Sequence, residues 1–181
     1  MSKFEMIIGY SAVKKELRQI ADTLKNRDAF NKLGVSAPRG LLLYGEPGVG
    51  KSLMATAVIE ASGRQAFVCR KDQPNGDFVK RIKDTFDQAV KYAPSIVLLD
   101  DMDKFANEDE YKRDAEEYVA IQSGIDEVKG GEVFVLATAN SIWKFPDSLI
   151  RPGRFDKTIK FQYPKIEESI KITQHYLSNK R

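Results

Sequence analysis

The sequence predicts an α/β fold, a doubly wound sheet of five mostly parallel strands with helices on both faces. Three observations lead there. Short apolar runs at 40–44, 66–70, 95–99, 133–139 and 157–162 read as strands. Helix-forming stretches separate them, near 51–61, 77–92 and 108–123 with a shorter one near 147–151, so the strands are joined by crossovers rather than hairpins. The run Ile96-Val97-Leu98-Leu99 shows no polar alternation, the pattern of a strand covered on both faces.

Residues 4 to 9 form an apolar lead-in ending at Gly9. A helix follows from Ser11, whose hydroxyl can cap it, with Val13, Leu17, Ile20 and Leu24 on one face. The stretch from Gly34 to Arg39 reads as a loop before the first strand. The mixed-charge segment 103–117 reads as a solvated helix face with its loop. After Pro164, the spacing of Ile166, Ile170 and Leu177 predicts one more helix, with little for it to bury against.

At 181 residues the chain is long enough for one domain with a full core. Hydrophobic residues are 42% and charged residues 30%, which excludes a disordered chain. A net charge of +3 is too small to argue for nucleic acid. Arg64, Arg70, Lys71, Lys80, Arg81 and Lys83 are interleaved with acids and read as a solvated surface, so nucleic acid is not expected as a partner. The single cysteine, Cys69, suits a reducing compartment and reads as a small buried hydrophobe. No apolar stretch is long enough to span a bilayer, and no signal peptide is legible. A cytoplasmic location is expected, including as the cytoplasmic part of a membrane-anchored protein.

Chemistry enters at Gly45-Glu46-Pro47-Gly48-Val49-Gly50-Lys51-Ser52, a complete phosphate-binding loop between a buried strand and an Ala-rich helix that opens near Leu53. Its glycines let successive amides converge on a polyphosphate, and the helix dipole points the same way. Lys51 would reach the β- and γ-phosphates, and the Ser52 hydroxyl would ligate Mg2+. Nucleotide binding is thus assigned to Pro47, Gly48, Val49, Gly50, Lys51, Ser52 and Leu53, with ATP or ADP as ligand. A second constellation is Asp100-Asp101, at the carboxyl end of the buried strand where open α/β sheets bind ligands. Asp100 suits Mg2+ through a bound water, and Asp101 then faces the place of an attacking water.

With this pair the chain resembles the AAA family of ATPases, and within it the membrane-anchored AAA proteases and proteasomal ATPases. The motifs that carry the likeness run from Lys32-Leu33-Gly34 through Ser52, from Arg81-Ile82-Lys83-Asp84-Thr85-Phe86 through Ala93-Pro94, and over Ala137-Thr138-Ala139-Asn140 with Leu149-Ile150-Arg151-Pro152-Gly153-Arg154-Phe155-Asp156. The resemblance implies a P-loop domain of the AAA+ type over 1–163, with 164–181 the first helix of a truncated helical lid. It implies Asn140 as a polar sensor that orients the lytic water. Arg151 and Arg154 would be arginine fingers reaching a neighbouring subunit's nucleotide. Ile8 and Gly9 lie in the segment that grips adenine. It further implies Mg2+-dependent ATP hydrolysis in a homo-hexamer that remodels or unfolds a polypeptide, with this shortened chain monomeric in dilute solution. A nucleotide-dependent switch with little useful hydrolysis is the alternative.

Four departures from the family pattern bear on that reading. Asp101 stands where the family has Glu, which predicts slow but not absent hydrolysis. The pore tripeptide is replaced within Lys71 to Lys80, by Pro74-Asn75-Gly76 or Phe78-Val79-Lys80, with Phe78 favoured as a core residue of the next helix. Ser169 and Tyr176 stand where the lid helix usually presents Arg and His, and His175 reads as a solvent-facing helix residue. Asp126-Glu127-Val128 replaces an Asp-Gly-Phe linked to communication between subunits. Neither a membrane anchor nor a His-Glu-x-x-His motif is present in the sequence, so a protease role would rest on analogy.

Overall fold

A computed structural model describes residues 2–72, 77–106 and 115–178. Five parallel strands form one sheet in the order β2-β3-β4-β1-β5. They are β1 (Gly40–Gly45), β2 (Gln65–Arg70), β3 (Ser95–Asp100), β4 (Val133–Ala139) and β5 (Lys157–Phe161). Every strand lies within a residue of its expected bounds.

The sheet has a core on each face, divided by the alternation of strand side chains. Leu42, Val97, Leu99, Val135 and Ala137 point to the side covered by α5 (Phe78–Lys91) and α6 (Glu116–Glu127). Leu41, Leu43, Ile96, Leu98 and Leu136 point to the other side, under α2 (Ser11–Lys25) and α4 (Lys51–Ser62). Strand β3 is buried along its whole length, as its unbroken apolar run requires.

Some local expectations needed correcting. Ser11 is not the cap of α2; Tyr10 takes that place in a left-handed conformation (φ 56°), and Ser11 is the first helical residue. The lead-in contains a one-turn helix, α1 (Lys3–Met6), and α3 (Arg27–Lys32) precedes the loop. The short helix expected near 147–151 is a set of turns, closed by hydrogen bonds from Leu149 N to Pro146 O and from Phe155 N to Leu149 O. Of the helix expected at 108–123, the described part runs from Glu116, where Ala115 in a non-helical conformation (φ -59°, ψ 133°) precedes it; residues 107–114 lie outside the described residues. The closing helix, α7 (Ile166–Ser178), buries none of its residues.

Candidate active site

Three neighbouring strands, β1, β4 and β3, end side by side, and each delivers one part of a common site at its carboxyl end. The loop after β1 turns through Gly48 (φ 79°) and Gly50 (φ 94°), conformations that side-chain-bearing residues rarely adopt. Nothing lies within 4 Å of a Cβ built at either glycine, so the loop opens onto free space. Helix α4 starts at once, at Lys51, which aims its N-terminus at that opening. Val49 is buried and anchors the loop, whereas Pro47, Gly48, Ser52 and Leu53 are exposed.

The Lys51 ammonium donates to Gly45 O at 2.7 Å, Glu46 O at 2.8 Å and Asn140 Oδ1 at 3.1 Å. All three of its protons therefore have acceptors, which compensates its burial. Burial pushes the Lys51 ammonium below its ordinary value, and nearby Asp101, Asp103 and Glu46 oppose that. Asn140 is held in turn through its backbone N–H, which donates to Asp103 Oδ1 at 3.0 Å.

Asp100 is the hub between loop and sheet. Its side chain is 2% exposed, and its Oδ1 accepts from Ser52 Oγ at 3.1 Å and Thr138 Oγ1 at 2.6 Å. Oδ2 is paired with the guanidinium of Arg70. Burial would raise its pKa, but the hydrogen bonds from Thr138, Arg70 and Ser52 outweigh that and keep the carboxyl below its usual range. Thr138 also accepts from the Asp101 backbone N–H at 2.9 Å, fixing the turn in which Asp101 adopts a left-handed conformation (φ 56°). A short polar side chain tolerates that conformation better than most. The Asp101 carboxylate meets Lys104 Nζ at 2.8 Å.

Thus Lys51, Ser52, Asp100, Asp101 and Asn140, far apart in sequence, come together. The two arginines part company. Arg151 is exposed. Arg154 was expected to reach outward, but it is 7% exposed and turned inward. It donates to Asp126 Oδ2 at 2.7 Å, Ser148 O at 2.7 Å and Gln122 Oε1 at 2.9 Å. A guanidinium with a fork of carboxylate, amide and carbonyl acceptors has no electrostatic reason to face solvent.

At the front, Ile8 and Gly9 are partly exposed, and the carbonyl of Ile7 is engaged by Lys14 Nζ at 2.8 Å. Phe78 opens α5 and packs edge-on against Phe105 at 4.8 Å, a core role as expected. Pro74-Asn75-Gly76 lies outside the described residues. Cys69 is buried, which pushes its thiol pKa up, and His175 is exposed on α7.

Sequence reasoning missed Arg70, Thr138 as a bridging hydroxyl, and Asp103. Only register could have found Arg70: it lies directly opposite Asp100 in the β2–β3 pairing.

The donor set fits a hard dication. Ser52 Oγ and a buried carboxylate are oxygen ligands of the kind Mg2+ prefers, set beside an amide-lined loop. Among the described residues no helix is long and apolar enough to cross a membrane.

Comparison with known proteins agrees with this geometry. A family model for the ATPase family associated with various cellular activities (AAA) matches residues 41–163. The chain is 31% identical to the ATP-dependent zinc metalloprotease FtsH of Halothermothrix orenii, in an alignment covering 98% of this chain and 30% of that protein. It is 34% identical to the protein of the same name from Mycoplasma pneumoniae, over 98% of this chain and 27% of that one. The chain therefore spans less than a third of the length of these relatives. Loop, sheet order and matched span together place the chain in the AAA family of ATPases, as an ATP-hydrolysing domain whose nucleotides are ATP and ADP with Mg2+.

Proposed function

We propose that Lys51, Ser52, Asp100, Asp101 and Asn140 form the hydrolytic centre of this ATPase domain, and that it works in a homo-hexamer acting on a polypeptide. The observation that carries the reading is the junction of three strand ends, where Lys51 meets Asn140 and Ser52 meets Asp100. Loop amides and Lys51 would take the phosphate tail, with Lys51 exchanging its carbonyl acceptors for phosphoryl oxygens. Mg2+ held by Ser52 and Asp100 would neutralise charge on the β- and γ-phosphates. Asn140, fixed by Asp103, would orient the attacking water, and Asp101 would polarise it.

Calorimetry tests the core of this. Mg2+-linked ATP or ADP uptake is expected, and Lys51→Ala should weaken it about 100-fold or more, the scale of ~3 kcal/mol for lost charge-assisted contacts. Uptake unchanged by that substitution sinks the assignment.

The hexamer rests on family membership and on Arg151, whose exposed guanidinium is available to a neighbour's phosphates. Arg154 would serve there only by leaving Asp126. If a neighbour completes the site, ATP turnover per chain rises with chain concentration, and Arg151→Ala removes the rise. A turnover independent of concentration would count against it. The names of the relatives describe an ATP-dependent protease, which favours a polypeptide as the object of the work.

A non-hydrolytic switch is favoured by one observation, the pairing of Asp101 with Lys104. Equal turnover in the native chain and Asp101→Asn would support the switch; loss of turnover with nucleotide uptake retained would support hydrolysis.

A further inference from the structure

Arg70 carries an inference that rests on the Mg2+–nucleotide reading and deepens it. It is the last residue of β2 and lies in register with Asp100, the last residue of β3. Neighbouring parallel strands that end together present such a pair on the same side of the sheet. The Arg70 guanidinium pairs with Asp100 Oδ2, while Oδ1 is already taken by Ser52 and Thr138. The oxygen left for a metal or its water is thus covered by a cation of the chain itself. The two partners differ in freedom. The Asp100 side chain is 2% exposed and fixed by hydroxyls, whereas that of Arg70 is 56% exposed.

A buried carboxylate without a partner is costly, so the metal-free site gains from this pairing. A dication and a guanidinium on the same carboxylate repel each other, and the exposed, flexible partner is the one that yields. We propose that Arg70 is a displaceable counter-ion for Asp100, which Mg2+ must dislodge in order to bind with nucleotide. Arg70 therefore weakens metal affinity and makes nucleotide retention sensitive to Mg2+ concentration.

The test follows Mn2+, a paramagnetic substitute for Mg2+, by electron paramagnetic resonance with saturating ADP. Arg70→Gln should bind Mn2+ about tenfold or more tightly, the size of effect a neighbouring unit charge has on an ionic equilibrium. Arg70→Lys, which keeps the charge, should stay near the native affinity. That rescue separates a charge effect from altered packing. In the metal-free protein, Arg70→Gln should also lower the melting temperature, and added Mn2+ with ADP should restore it. Normal ADP uptake with equal Mn2+ affinity in all three proteins overturns this inference alone. Absence of ADP uptake by the native protein overturns the nucleotide-site reading and this inference with it.

Discussion

At Asp101 a shorter acid stands where the family has glutamate, and two local forces act on it. Its backbone is held left-handed by the Thr138 hydroxyl, and its carboxylate leans on Lys104. In the proposed hydrolytic role, the missing methylene would leave the carboxylate on the order of 1 Å further from a water on the phosphate, and a displacement of that size can cost ~100-fold in rate. Asp101→Glu is therefore expected to raise ATP turnover by about 10–100-fold. A steady-state phosphate-release assay checks it, and unchanged or lower turnover would mean that the acid's length is not limiting. Arg70 and Asp103 act just as locally: one pairs with the Asp100 carboxylate, the other holds the Asn140 backbone.

Between elements, the packing of α5 on α6 depends on an absent side chain. Gly124 lies in the interior of α6, where glycine costs a helix up to ~1 kcal/mol relative to alanine. A Cβ there would stand 2.5 Å from Phe86 Cδ2, and Phe86 is 2% exposed on α5, with no room to swing away. Overpacking of this kind costs ~1–3 kcal/mol, so the steric loss exceeds the propensity gain. Gly124→Ala should lower the urea midpoint, and pairing it with Phe86→Leu should recover part of the loss. A stabilised single variant would mean that the two helices separate more easily than their close approach implies.

For the whole molecule, the ties between distant segments set the response to acid. Asp126 on α6 is held well below the ordinary carboxylate range, first by its hydrogen bonds from Arg154 and then by Lys129. A depressed folded-state pKa favours the ionised form on folding. Its stabilisation is therefore complete above the unfolded value near ~3.9 and is lost as pH falls below it. Asp126 is part-exposed, so screening reduces the effect. The Asp126→Asn protein should be less stable than the native chain near neutral pH, with the difference shrinking as pH drops below about 4. Urea midpoints measured between pH 7 and pH 3 test this, and a difference that grows in acid would reverse the assignment. The same pair joins α6 to the turn before β5, which also carries the exposed Arg151.

The five strands, the phosphate loop and the Asp100-Asp101 pair were legible in the sequence because each is a local pattern. Apolar run length marks a buried strand, glycine spacing marks the loop, and position after a strand marks the carboxylates. The inward turn of Arg154, the pairing of Arg70 with Asp100 and the bridge made by Thr138 were not legible. Each depends on which strand or helix lies alongside and in what register, and polar partners 28 to 38 positions apart leave no periodic trace in the chain. Order along the chain was enough for the sheet and for the residues that meet at its strand ends. The tertiary structure alone decided which charged groups face that site and which satisfy one another, because Coulombic pairing acts through space and a sequence records only order along the chain.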